Sequence, residues 1–165
     1  MSFEFLKNKP LKLPNDDDLF YKFLAGYIDA EGCWKIAPNH HVQISFGLVI
    51  CSEDLELLTA IKERLEKDGY HISFGINRRK SRFDYTRPLY ELCVNRRGEV
   101  ISLIDRILPL SRHREKIEKM KLIVEMKNET SWSTISEKVK SFRRRLKKEV
   151  NKCVREAKML YEYKH

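Results

Sequence analysis

The sequence predicts an α+β fold in which a four-stranded antiparallel sheet carries helices on one face. Four short segments alternate apolar and polar residues, as half-buried strands do. The segments around them repeat apolar residues in steps of three and four, which is typical of amphipathic helices. The predicted order is α-β-β-α-β-β-α, followed by extra C-terminal helices. A chain of 165 residues that is 42% hydrophobic is large enough to bury one core.

The first predicted helix begins at Asn15-Asp16-Asp17-Asp18, because carboxylates complement the positive end of the helix dipole. It extends to Ala30 or Glu31, where a glycine closes it and a hairpin follows. A second hairpin comes after the next helix. Alternation places the four strands over residues 34–37, 41–50, 72–77 and 89–94.

Capping and breaking residues bound the other predicted helices. Ser52-Glu53-Asp54 caps the second helix, and Asp68-Gly69 ends it. A proline ends the third helix, which covers residues 98–108. A fourth helix runs from Ser111 to Asn128. The fifth, over residues 134–161, has an apolar stripe and a basic back.

The chain is thus divided into an N-terminal arm (1–15), a core (16–128) and a basic helical extension (129–165). Its formal net charge is +9, and much of this charge is concentrated. Residues 138–164 hold 11 Lys and Arg against 3 Glu, and a second basic cluster covers residues 78–87. Two such clusters favour the binding of phosphates, and hence of nucleic acid.

Several classes of protein are excluded by what the sequence does not contain. It has no run of eighteen apolar residues and no apolar N-terminal stretch, so we expect neither a membrane span nor secretion. We expect a cytoplasmic protein, with nucleoid association or an organelle interior left open. Its four cysteines are widely spaced, which favours reduced thiols over a zinc site or disulfides. We expect no small-molecule substrate.

Residues 24–32 read Leu-Ala-Gly-Tyr-Ile-Asp-Ala-Glu-Gly. This segment resembles the signature of the LAGLIDADG homing endonucleases at seven of nine positions, and Tyr27 and Glu31 are the departures. The order of elements that follows is also similar to that family, so the resemblance covers about residues 16–128. It implies a site-specific, metal-dependent DNA endonuclease that makes double-strand breaks with 3′ overhangs. Because Met1 leads directly into the N-terminal arm without splicing-like termini, we expect a free-standing or intron-encoded enzyme rather than an intein.

Glu31 is the predicted catalytic carboxylate. It falls at the C-terminal end of the first helix, where the dipole is negative and a carboxylate invites a neutralising cation. Mg²⁺ suits this position, because it takes few carboxylates together with water and phosphate oxygens. We therefore predict a metal site formed by Glu31 and the backbone carbonyl of Ala30, which Mn²⁺ or Ca²⁺ can also occupy.

The motif occurs once in the chain, and chains of the family with one motif resemble homodimers that pair their motif helices. Small residues on this helix would let two helices approach closely. The predicted dimer interface consists of Ala25, Gly26, Asp29 and Ala30. The resemblance then implies a long, near-palindromic duplex site.

Two further active-site positions follow from the resemblance. A position that the family often fills with a water-binding glutamine aligns with Ser52, or with Cys51 if the register shifts by one. Ser52 is also interpreted as an ordinary N-cap. The family's active-site lysine matches Arg114, with Lys116 and Arg112 as neighbours, although helix-surface charge is an alternative explanation.

Double-stranded DNA is the predicted partner. The outward face of the sheet, which we predict to be polar, basic and free, is the predicted reading surface, since a two-stranded ribbon fits the major groove. The basic extension would contact phosphates. The predicted DNA-binding residues are Lys35, Asn39, His41, Gln43, Ser45, Asn77, Arg79, Lys80, Arg82, Arg87, Arg143, Arg144, Arg145 and Lys147.

Two other functions are compatible with the sequence. One is a non-catalytic nucleic-acid binder, either an RNA maturase that aids intron splicing or a DNA-binding regulator. The other is a ribosomal or structural RNA-binding protein in which the motif is accidental. Retention of an acid at position 31 is evidence against an enzyme that has lost its activity, although a maturase can retain it as well.

Overall fold

The computed structural model describes residues 12–38, 44–77 and 88–162. The chain divides into two compact units. One covers residues 1–36 and 45–127, and the other covers residues 37–44 and 128–165. Among the described residues, no helix combines the length and apolar character that crossing a membrane requires.

In the part of the chain that the structure describes, five helices and four strands follow one another in the predicted order, which confirms the α+β fold class. Their bounds are α1 Asp17–Glu31, β1 Gly32–Pro38, β2 Ile44–Ser52, α2 Leu55–Lys67, β3 Ile72–Asn77, β4 Leu89–Val94, α3 Arg97–Ile107, α4 Arg114–Glu125 and α5 Trp132–Glu162.

The strands form one sheet in the order β1-β2-β4-β3. Strand β4 is antiparallel to both of its neighbours, and it pairs Leu92 with Ile50 of β2 and with Phe74 of β3. Because side chains alternate along a strand, these three residues lie on the same face of the sheet. The register therefore gives the sheet one apolar inner face.

The inner face of the sheet forms the core of the first unit. Trp34, Phe46, Leu48, Ile50, Leu92 and Val94 are at most 1% exposed. Helix α2 packs on β3 and β4, while α3 packs against both α1 and α4. The buried side chains of α1 and α2 repeat at helical spacing, as their amphipathic pattern predicts.

The outward face of the sheet differs from its prediction at the centre. Lys35 and Ser45 are exposed, as the prediction of a polar face requires. Val49 and Cys93, which are paired across β2 and β4, are at least 92% buried. Strands β2 and β4 each have a neighbouring strand on both sides. Small outward side chains on these strands are therefore shielded from solvent by the side chains of the adjacent strands. The centre of this face consequently carries Val49 and Cys93 beside the acidic Glu91, and it is not basic.

Two predicted helix starts are wrong by a few residues. Helix α2 is capped by Asp54, whose carboxylate accepts a hydrogen bond from the N–H of Leu57, so Ser52 is not its N-cap. Ser52 ends β2 and accepts a hydrogen bond from the N–H of Asp54. Helix α4 begins at Arg114 rather than at Ser111. The backbone N–H groups of the two residues before it are hydrogen-bonded to Asp29 of α1.

Candidate functional site

The motif covers the last turns of α1 and the first residue of β1. Asp16 caps the start of α1 by accepting a hydrogen bond from the N–H of Leu19, and Glu31 is its last residue. The final glycine of the motif is required by a close approach. A Cβ atom on Gly32 would lie 2.8 Å from Cγ2 of Ile28 and 2.9 Å from its carbonyl oxygen. Glycine at this position therefore lets the chain leave the helix and enter the sheet at once.

Glu31 is exposed at the C-terminal end of α1. Within the described ranges its carboxylate has no hydrogen bond or ion pair. The carbonyl groups of the last turn add negative charge to this end of the helix. The structure thus places an available carboxylate at a negative helix end, where a cation would be stabilised.

The carboxylate of Asp29, two residues before Glu31, is hydrogen-bonded to the segment that precedes α4. Its carboxylate accepts hydrogen bonds from Oγ of Ser111 at 2.5 Å and from the backbone N–H groups of Arg112 at 2.6 Å and His113 at 3.2 Å. Burial opposes ionisation of Asp29, but these hydrogen bonds and the charge of Lys116 outweigh it and lower its pKa. We call these three hydrogen bonds the Asp29 clamp. The clamp holds residues 111–113 against α1, which explains why α4 starts only at Arg114.

Lys116 contacts the same end of α1. Its Nζ donates hydrogen bonds to the backbone carbonyls of Ile28 at 2.7 Å and Asp29 at 2.5 Å. Side chains that bind the last carbonyls of a helix stabilise its C-terminal end. The structure therefore brings Lys116 to the helix end that carries Glu31, with its ammonium group bound to backbone.

The other predicted active-site residues are placed as follows. Arg112 and Arg114 are exposed at the start of α4, beside the clamp that Asp29 makes. Ser52 and Cys51 are half-buried at the end of β2. The oxygen of Ser52 accepts the backbone hydrogen bond of Asp54, and the thiol of Cys51 faces Glu91 across the strand pair at 3.7 Å.

An acidic residue lies on the outward face of the central strands, where the sequence predicted DNA contacts. Glu91 accepts a hydrogen bond from the thiol of Cys93 at 3.3 Å. Burial, together with Glu91, raises the pKa of Cys93 to about 12, so this thiol stays protonated at neutral pH. Cys93 is therefore a small buried residue and not a nucleophile.

The predicted DNA-binding residues fall into three groups. Lys35 and Ser45 are exposed on the outward face of the sheet, and Asn77 ends β3 with its side chain outside the described residues. Exposed on α5 are Arg143, Arg144, Arg145 and Lys147. Outside the described residues lie Asn39, His41, Gln43, Arg79, Lys80, Arg82 and Arg87.

The four predicted interface residues lie on different sides of α1. Gly26 and Ala30 are exposed. Ala25 is 1% exposed within its own chain, and the carboxylate of Asp29 is turned toward Ser111. The exposed side of α1 also carries Leu19, which is 55% exposed.

The clamp was not predicted, because its partners lie 82 to 84 residues apart in the chain. The basic residues near the start of the fourth helix did not mark the clamp either, because the observed helix also begins with Arg114 and has Lys116 in its first turn.

No protein-family model matches the chain, and no curated protein matches it either. Solved structures of homing endonucleases do match it. I-CvuI, solved in complex with its target in the presence of calcium, is 19% identical, with a TM-score of 0.49 and 67% of each chain covered. I-TnaI is also 19% identical, with a TM-score of 0.45 and coverage of 65% of this chain and 70% of that one.

A third match is I-AabMI, a LAGLIDADG meganuclease solved bound to uncleaved DNA. It is 21% identical with a TM-score of 0.47, and the match covers 65% of this chain and 35% of that one. The chain therefore spans about a third of the length of I-AabMI. Of these three structures, I-AabMI is the one described as a LAGLIDADG enzyme, and each of the three is less than 25% identical to this chain.

Proposed function

We propose that this chain is a divalent-metal-dependent DNA endonuclease that cuts both strands of a specific duplex. One observation carries the proposal. The motif helix ends in Glu31, an exposed carboxylate without a hydrogen bond or ion pair in the described chain, while the neighbouring acid Asp29 is bound to Ser111. Of the two carboxylates in the motif, that of Asp29 stabilises the fold, and that of Glu31 is available for catalysis.

The donors at this helix end suit a hard cation. Among the described residues, no group of three or more His, Cys, Asp or Glu side chains could hold a metal ion. A single carboxylate with a backbone carbonyl suits Mg²⁺, which keeps several waters and is completed by phosphate oxygens. When bound, such an ion activates water and neutralises charge on the phosphate. In the proposal Glu31 and the carbonyl of Ala30 hold it, and Arg114 supplies positive charge to the phosphate.

DNA is the proposed substrate because exposed basic side chains are concentrated rather than dispersed. Helix α5 presents Arg143, Arg144, Arg145 and Lys147 to solvent, and each phosphate neutralised by such a residue releases counterions. Lys35 and Ser45 on the outward face of the sheet are the proposed contacts with base edges. Glu91, on the same face, can accept a hydrogen bond from the amino group of cytosine.

A homodimer is the proposed active form. The Cβ atom of an alanine at position 26 would meet nothing within 4 Å among the described residues of a single chain, so the fold that they form does not require glycine there. A second α1 packed across Gly26 and Ala30 would require it, because small residues permit close helix approach. Such a dimer has one Glu31 for each DNA strand, which agrees with a near-palindromic site and, by the family resemblance, with 3′ overhangs.

The test is the substitution Glu31→Gln on a duplex that the wild type selects from a randomised library. Glutamine keeps the size of the side chain but removes its charge, so we expect cleavage in Mg²⁺ to fall below detection. DNA binding in Ca²⁺ should survive, and stability should not fall, because a carboxylate at a helix C-terminus is unfavourable. Glu125→Gln is the matched control, since Glu125 is also the exposed last residue of a helix.

The competing function is a nucleic-acid binder without catalysis. A wild type that binds a selected duplex or intron RNA tightly, and cuts neither in Mg²⁺ or Mn²⁺, would establish that alternative. A folded Glu31→Gln protein that cuts at the wild-type rate would remove Glu31 from the active site.

A further inference from the structure

Lys116 is bound to the motif helix across a large separation in sequence. Its Nζ donates to the carbonyls of Ile28 and Asp29, which precede it by 88 and 87 residues. The side chain is partly buried, and both contacts are at or below 2.7 Å. A lysine exposed for phosphate binding would instead extend into solvent.

The two carbonyls that Lys116 occupies belong to the last turn of α1. The final four carbonyls of a helix have no partner within it, so they attract water, side chains or cations. The N–H of Gly32 also donates to the carbonyl of Ile28. With the Asp29 clamp on Ser111, this end of α1 is fastened to the start of α4 through both side chain and backbone.

We propose that Lys116 is a positioning residue, which fixes the last turn of α1 and reserves the end of that helix for a cation at Glu31. Because its ammonium group binds the carbonyls of Ile28 and Asp29 and repels a second cation there, the oxygen donors beyond them are the ones left for a divalent ion. Lys116 thereby sets where Glu31 lies relative to Arg114 without touching DNA. The part of this inference that concerns cleavage rests on the proposed function.

The experiment compares Lys116→Met, Lys116→Arg and Lys119→Met. Methionine keeps the aliphatic length and removes the donors, arginine keeps charge and donors, and Lys119 is a matched control on the same helix. The first readout is amide hydrogen exchange at Gly32 without any metal or DNA. The second is kcat on the selected duplex with Mg²⁺, measured together with DNA affinity in Ca²⁺.

We expect Lys116→Met to speed exchange at Gly32 by about tenfold or more, since the last turn then opens locally. It should also lower kcat while leaving DNA affinity in place. Lys116→Arg should restore both quantities, and Lys119→Met should change neither. If Lys116→Met does not fold, Lys116→Gln takes its place with the same expected directions.

Two results would overturn the proposal. Unchanged exchange at Gly32 would show that the contact does not hold the turn, and a loss of kcat in that case would make Lys116 a catalytic residue. Faster exchange with wild-type kcat would leave Lys116 a role in folding alone. A wild type that cuts no duplex would overturn the proposed function, whereas the exchange measurement would still decide whether Lys116 holds α1.

Discussion

Asp29 and Glu31 stand two residues apart in one helical turn, and the surroundings of their carboxylates differ in kind. Asp29 accepts three hydrogen bonds from residues 111–113, which hold its pKa below the ordinary aspartate value despite partial burial. Glu31 is exposed to solvent. The difference arises because a step of two residues turns the side chain to another side of a helix.

Asp29→Asn should therefore act mainly by lowering the free energy of unfolding and not by a direct effect on DNA cleavage. We expect a loss of about 1–2 kcal/mol at neutral pH, because hydrogen bonds to a charged acceptor are weakened. The folded pKa is lowered, so the stabilisation is present above the ordinary aspartate pKa and is lost as pH falls through the folded value. Denaturant unfolding across this acidic range should show the wild type and the variant converging.

The control for this prediction is Asp105→Asn, an exposed aspartate on α3. It should leave the pH dependence of unfolding unchanged. A difference between wild type and Asp29→Asn that stays constant down to the lowest pH would contradict the role assigned to the clamp.

At the scale of whole elements, two glycines lie next to helix termini, one just after α2 and one in the first turn of α3. Gly69 follows the end of α2 with φ of +93°, in the left-handed region that other residues rarely adopt. Gly98 lies in the first turn of α3, and a Cβ atom there would meet no described residue within 4 Å. The backbone conformation therefore requires glycine at position 69, whereas position 98 has no such requirement.

Alanine substitutions at these two positions should change the free energy of unfolding in opposite directions. Gly69→Ala should destabilise the fold by roughly 1–2 kcal/mol, because a Cβ atom is strained in the left-handed conformation. Gly98→Ala should stabilise it by about 0.5 kcal/mol through helix propensity. The midpoint of denaturant unfolding measures both, and a Gly69→Ala protein as stable as the wild type would refute the assignment.

At the scale of the whole molecule, the proposed dimer predicts that one glycine matters only between chains. Gly26→Leu adds a side chain where the single chain has room at Cβ, so folding should be retained. Light scattering should give about twice 19.7 kDa for the wild type and a single chain for the variant. Gly98→Leu is the matched control, because its Cβ position is equally open. A wild type that is monomeric both free and on DNA would contradict the proposal.

Local sequence determined the elements and most of their ends. The carboxylates at residues 16–18 predicted the start of α1, and Asp68-Gly69 predicted the end of α2, because capping depends on neighbours within a few residues. Alternation assigned Phe46, Leu48 and Leu92 to the buried face, since period and burial are linked in a strand. The motif predicted Glu31 as the catalytic carboxylate, and that role stays a prediction.

Only the tertiary structure decided which partners these residues have. The start of α4, the clamp on Asp29 and the position of Lys116 all depend on contacts across more than 80 residues of chain. The burial of Val49 and Cys93 depends on which strands lie in the middle of the sheet. Periodicity and caps report on a residue's neighbours in sequence, whereas these contacts arise from how separate elements pack. The sequence therefore determined that the motif helix ends in two acids, and packing decided that Asp29 is bound and Glu31 is exposed.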